Sequence, residues 1–127
     1  MSITSYGSVI DSLKHVLSSH GSHDTTKVSL MLHISVQYQN ISADSQKKYA
    51  EDAYTLAQQL GDAYILSRSL NQMGAVFFNN GKYDSSIYYY QQAIDVCDAN
   101  GMEDQKVYGY TNIGNVYMRL ADYIRAL

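Results

Sequence analysis

Leu70-Asn71-Gln72-Met73-Gly74-Ala75-Val76-Phe77, closed by Phe78-Asn79-Asn80-Gly81, returns 40 residues later as Tyr110-Thr111-Asn112-Ile113-Gly114-Asn115-Val116-Tyr117. The same step carries Ala53 and Gly61 onto Ala93 and Gly101, and brings Tyr83 onto Tyr123. Independent positions that agree on one period mark a chain built by internal repetition. Inside the period the pattern is helical. Leu66, Leu70, Met73 and Phe77 share one face at steps of three and four, and Asn79-Asn80-Gly81 supplies a left-handed stop. Asp84 is placed to cap the next helix, whose apolar stripe is Ile87, Tyr90, Ala93, Ile94 and Cys97, and Asn100-Gly101 ends it. One unit is therefore a helix, a tight turn, a second helix and a turn.

Gly74 and Gly114 fall in helix interiors, where glycine costs about 1 kcal/mol against alanine. Repetition of that cost at one register predicts a close helix crossing, with Ala53, Ala93 and Ala126 as the opposing small residues. Helices are expected near 3–19, 25–39, 43–60, 62–80, 84–100 and 103–120, with a seventh starting at 122. Val9, Ile10, Leu13, Val16 and Leu17 form an isolated stripe before Ser18-Ser19-His20-Gly21-Ser22, read as a helix that covers the apolar face of the first repeat.

With these residues in place the chain resembles the tetratricopeptide repeat family. Leu70-x2-Met73-Gly74-x2-Phe77 and Tyr110-x2-Ile113-Gly114-x2-Tyr117, with Ser86 and Tyr90 further on, carry the likeness from about Thr26 to Leu127. The 40-residue unit is similar to the long-helix variant of that family, whose usual unit is about 34 residues. Ser86 replaces the usual alanine and Asp98 the usual proline. Stepping back 40 residues from Gly74 lands on Ile34, so the first unit is degenerate, although Tyr49, Ala50, Ala53, Leu56 and Leu60 keep its second helix recognisable. Asp24-Thr25-Thr26-Lys27-Val28 resembles the opening of repeat arrays in the sensory regions of bacterial signalling proteins. The resemblance implies an all-α, right-handed solenoid of antiparallel helix pairs. Its expected divisions are an N-terminal capping helix and loop (1–24), a degenerate repeat (25–61), a full repeat (62–101) and a truncated one (102–127). Leu127 falls one turn into an expected second helix with no stop signal, which points to a longer array.

In this family the first helix of each unit lines a concave surface. That places Arg68, Asn71, Gln72, Ala75, Phe78 and Asn79 of the second unit in the groove, with Tyr108, Thr111, Asn112, Asn115, Met118 and Arg119 of the third. Amides predominate, and each offers a donor and an acceptor to the backbone of an extended peptide. Relatives such as kinesin light chain use groove asparagines in a similar way. The paired cations with which other relatives clamp a terminal carboxylate are missing, since Tyr108 and Asn112 stand in their place.

Composition narrows the alternatives. The chain has no proline, one cysteine and a formal charge of −3 with acids and bases interspersed. No basic run offers a footprint for nucleic acid, and no apolar stretch reaches the length of a membrane span. Met1 to Ile10 lacks a basic start and an apolar signal core, so the chain reads as cytoplasmic; a removed signal peptide would make it an extracytoplasmic sensor region instead. Cys97 lies on an apolar face with no histidine in register and reads as inert packing. His20 and His23 share a Gly/Ser turn but no four-ligand set completes a metal site, and His15 and His33 read as surface or boundary positions on helices. No nucleophile elbow or phosphate loop is present. Of the 13 tyrosines, Tyr83, Tyr90, Tyr110, Tyr117 and Tyr123 occupy packing positions and are expected in the core, while at least one of Tyr88 and Tyr89 is expected outside it.

These readings converge on a scaffold that binds a protein or peptide, with no enzyme activity, cofactor or metal. The alternative is a sensory or self-association input region of a larger signalling protein with a kinase, cyclase or transcription-regulator effector. Tyr110, Ile113, Tyr117, Leu120 and Tyr123 are expected to expose apolar surface, through which copies pair at the C-terminal end.

Overall fold

The computed structural model describes residues 2–127, with the side-chain surroundings of residue 7 and of residues 9–127; Met1, the start of the expected N-terminal unit, lies outside them. Six helices follow one another: α1 (Ser2–Ser19), α2 (Thr25–Gln37), α3 (Ala43–Leu60), α4 (Ala63–Asn79), α5 (Tyr83–Ala99) and α6 (Glu103–Ala126), with no strand among the described residues. The chain is all-α and each helix packs on its neighbours in sequence, with α2 also touching α4 and α4 touching α6. Helices α2, α4 and α6 therefore form one layer, and α3 and α5 lie behind it.

Local chemistry sets the boundaries. Asp24, Ser42 and Asp62 cap α2, α3 and α4 by accepting from the backbone N–H groups of Lys27, Ser45 and Ile65, donors that a helix start leaves without partners. Gly81 closes α4 at φ +75°, with Lys82 N–H bonded to the Phe77 carbonyl at 2.9 Å and Gly81 N–H to that of Phe78 at 3.1 Å. This pair of bonds is the Schellman arrangement, which glycine adopts without the penalty a β-carbon meets. Gly101 repeats it at φ +67°, through Met102 N–H and the Cys97 carbonyl.

Two expectations about boundaries are corrected. Asp84 is not the cap of α5: it lies in the first turn behind Lys82, which makes no side-chain cap bond. The seventh helix does not begin at 122, because α6 runs unbroken to Ala126. The residue 40 beyond Gly81 is Ala121, which cannot take up a left-handed conformation cheaply, so nothing stops the helix there.

The core follows the apolar stripes. Val28, Met31, Leu32, Ala53, Leu56, Ala57 and Ile65 form its first cluster, against which Leu17 of α1 packs. Within α1, Ile10 is buried, but Val9 and Val16 are exposed and stand outside the packed stripe. Ala50, Met73 and Val76 form a second cluster between α3 and α4, flanked by Tyr54, Phe77 and Tyr89. Tyr90, Ala93, Ile94 and Cys97 are buried on α5.

The close crossing at Gly74 is present, but the residue opposite is not a small one. A methyl at Gly74 would stand 2.5 Å from Cε1 of the Tyr90 ring. Glycine leaves room for an aromatic ring, and Ala93 is not its partner. Gly114 meets nothing within 4 Å, since no helix lies beyond α6 among the described residues. For the same reason Tyr110, Tyr117 and Tyr123 are not core residues: they are exposed, whereas Tyr90 is 4% exposed. The tight contact of α6 falls instead at Gly109, which presses on Ile94 of α5. Its counterpart 40 residues earlier is the fully buried Ser69.

The degenerate first unit has a simple cause. Tyr38 stacks on Tyr49 with centroids 5.9 Å apart, as Phe77 stacks on Tyr89 at 5.4 Å. Tyr49 to Tyr89 is a step of 40, but Tyr38 to Phe77 is one of 39. One residue fewer separates the stacked rings in the first unit, so the counterpart of Gly74 is Ser35, small and fully buried. A hydrogen bond joins the two helices at that level in both units. Ser86 Oγ donates to the Gly74 carbonyl at 2.9 Å, and Ser35 Oγ donates to the Gln46 carbonyl at 2.8 Å. The positions correspond and the direction of donation is reversed.

Candidate functional site

Between α2, α4 and α6 lies a cleft of about 630 Å³. Its floor is the N-terminal two-thirds of α4, which contributes Tyr64, Arg68, Asn71, Gln72 and Ala75. One wall is Leu32, His33 and Val36 of α2, the other Gln105, Tyr108 and Asn112 of α6, and Tyr90 reaches it from behind. Helical spacing accounts for the floor: positions 64, 68, 71, 72 and 75 recur every three or four residues, opposite the stripe that packs on α5.

Polar bonds cross the cleft at three levels. Arg68 Nη1 donates to Ser29 Oγ at 3.4 Å, and its guanidinium lies 5.9 Å from the Tyr64 ring centre. Gln72 Nε2 donates to Ser35 Oγ at 3.0 Å, the same hydroxyl that donates onward to Gln46. Asn112 Nδ2 donates to Asn71 Oδ1 at 3.4 Å, tying α6 to α4. That last bond uses one proton of the Asn112 amide and one lone pair of the Asn71 oxygen, and each half-buried side chain keeps a further donor and acceptor.

Of the twelve residues that the sequence places in the groove, Arg68, Asn71, Gln72, Ala75, Tyr108 and Asn112 line this cleft. The other six do not. Thr111 and Asn115 are exposed on α6 beside Asn112. Phe78, Asn79, Met118 and Arg119 lie further along, where α2, only 13 residues long, has ended and no second wall remains. There Arg119 sits over the Phe78 ring at 5.0 Å, and Phe78, Tyr83 and Tyr123 form a chain of rings 5.7 and 6.2 Å apart. Burial, together with a hydrogen bond to Tyr123, pushes the Tyr83 hydroxyl above its ordinary value.

Sequence reasoning missed the α2 wall. The step of 40 puts Asn71, Gln72 and Ala75 against Met31, Leu32 and Ser35, whereas the true step of 39 gives Leu32, His33 and Val36, the residues that line the cleft. The aromatic stack at Tyr38 and Tyr49 was the signal that could have found it. His20 and His23 are held at the start of α2: His20 Nε2 is 2.8 Å from Asp24 Oδ1, and His23 Nδ1 is 3.1 Å from Lys27 Nζ. Cys97 is buried against its neighbours. No helix among the described residues is long and apolar enough to cross a membrane.

Stacked helix pairs with the first helices lining a cleft, glycine at one register and an aromatic ring packed on it, define a tetratricopeptide array, a class of protein-interaction module that is typically a non-enzymatic scaffold. The chain belongs to the family described as the SusR N-terminal TPR domain, whose profile matches residues 7–126. Neither a curated protein nor a solved structure matches it.

Proposed function

We propose that the α2–α4–α6 cleft receives an extended segment of a protein partner, held by the side-chain amides of Asn71, Gln72 and Asn112. The observation that carries this reading is the Asn71–Asn112 pair, two bonded amides with donor and acceptor capacity to spare that line a cleft walled by apolar and aromatic side chains. An extended backbone presents the same alternation of donor and acceptor, so the pair would bind it whatever its side chains. Leu32, Val36, Ala75 and the rings of Tyr64 and Tyr108 would cover the segment's apolar atoms, while Arg68 offers the one fixed cation at the α2 side. Phe78 and Arg119 lie on the same path beyond the cleft and would serve as a second point of contact.

Selection from a random linear peptide library, followed by calorimetric titration of the recovered peptide, tests the reading. Asn71→Ala with Asn112→Ala should weaken binding about tenfold, the worth of one or two hydrogen bonds, with the helical circular dichroism signal unchanged. Unaltered affinity would contradict it. The second reading, an input region that associates with itself, is favoured by a different surface, the outer face of α6.

A further inference from the structure

Val107, Tyr110, Gly114, Tyr117, Ala121 and Ile124 recur along α6 at alternating steps of three and four, and all six are exposed. The large ones are very open, Val107 at 61%, Tyr110 and Tyr117 at 58% and Ile124 at 69%. The opposite side of the helix carries buried Gly109 and Val116 against the rest of the fold. An apolar seam thus runs from Val107 to Ile124 of the 24-residue helix, about 26 Å at 1.5 Å per residue, and nothing among the described residues lies upon it. Monomeric proteins rarely leave so continuous a stripe in water.

We propose that this seam docks, antiparallel, on the same seam of a second copy of the chain. Steps of three and four are the spacing at which two helices interlock side chains over their length. Running the helices in opposite directions places Gly114 against Tyr117 of the second copy, Tyr110 against Ala121 and Val107 against Ile124. Every layer then pairs a ring with a small residue or two aliphatic chains. Within the single chain the same device already operates once, where the Tyr90 ring fills the space above Gly74. A parallel arrangement fails on both counts, for it sets tyrosine on tyrosine and leaves a gap at paired glycines.

Charge selects the same direction. The first turn of α6 carries Glu103 and Asp104 and its last turn carries Arg125. Arg125 pairs with Asp122 and Glu103 with Lys106 within the chain, and Asp104 has no ion pair among the described residues. Antiparallel docking brings each Arg125 toward Asp104 of the other copy, whereas parallel docking sets Asp104 beside Asp104. The helix dipoles are also opposed in the antiparallel pair. Gln105 and Asn112 lie on the other side of α6, so pairing leaves both clefts open. The proposal is independent of what the cleft binds.

Sedimentation of the 127-residue chain from micromolar to millimolar concentration should show a monomer–dimer equilibrium. Gly114→Leu should weaken the dimer by at least about tenfold without lowering the melting temperature at low concentration, because a β-carbon there meets nothing within the monomer. Arg125→Glu should weaken it as well, and adding Asp104→Arg should restore it. Direction is read by cross-linking. Gly114→Cys mixed with Tyr117→Cys should form an interchain disulfide, and Gly114→Cys alone should not. A monomer at every concentration, a dimer indifferent to Gly114→Leu, or a disulfide formed by Gly114→Cys alone would each overturn the proposal.

Discussion

Gly74 on α4 and Gly114 on α6 occupy the same register, preceded by Met73 and Ile113 and followed three residues on by Phe77 and Tyr117. Around Gly74 the register is filled: α5 lies across it, Tyr90 packs on the glycine, and Ser86 bonds its carbonyl. Around Gly114 the register is empty and its two flanking tyrosines stand in solvent. The difference shows that the glycine does not make the helix. It makes a vacancy in the helix surface whose meaning depends on what crosses it. On α4 the lost helix propensity is offset by a buried ring, while on α6 it is uncompensated within one chain.

The largest expected effect breaks this contrast in two. Gly74→Leu should destabilise by about 3 kcal/mol through overpacking against Tyr90. At low concentration Gly114→Leu should instead stabilise by about 0.8 kcal/mol, the gain in helix propensity. Thermal or urea unfolding of the two variants side by side reads both signs, and equal destabilisation would mean that Gly114 is packed. Next in size is the turn that separates α4 from α5, whose place in α6 is taken by continuous helix through Ala121. Gly81→Ala forces a β-carbon at φ +75° and should cost about 1 to 2 kcal/mol, measured by the same unfolding.

Ser86→Ala removes the hydroxyl bonded to the Gly74 carbonyl and should cost about 1 kcal/mol; no change in the urea midpoint would show that the bond adds nothing at the crossing. The smallest effect belongs to the helix starts. Asp24 caps α2, and its hydrogen bonds with His20 and then with the Lys27 N–H hold its carboxyl below the ordinary value of 3.8. Its contribution is therefore complete above about pH 4 and is lost as pH falls through the lowered folded value. Asp24→Asn should flatten that acid limb of the stability curve, whereas α5 and α6, which have no side-chain cap, contribute none of this kind.

The helix boundaries were legible because caps and glycines announce them: Asp62, Gly61, Gly81 and Gly101 all do the work that their residue types suggest. Two features were hidden by arithmetic. The spacing from Tyr38 to Tyr49, one residue shorter than that from Phe77 to Tyr89, shifts α2 by one position against a 40-residue ruler, which disguised Ser35 as Ile34 and concealed Leu32, His33 and Val36 in the cleft. The replacement of Gly81 by Ala121 removed a stop that the period alone predicts. The outer half of the groove was misplaced for another reason. Periodicity says which way Phe78, Asn79, Asn115 and Arg119 point, but only the length of α2 says where the opposing wall ends. Ser69 and Gly109, small residues 40 apart, were visible and marked the true α5–α6 contact.

The claim on which the functional account rests is that the cleft amides meet the partner directly. It is tested by titrating isotope-labelled protein with the library-selected peptide and following the side-chain NH2 resonances of Asn71, Gln72 and Asn112 by NMR. The backbone signals of Gly114 and Tyr117 serve as the control surface. The account predicts that the three amides shift in saturable fashion with one common affinity while the α6 seam stays still. Shifts confined to the seam, with the three amides unmoved at saturation, would contradict it.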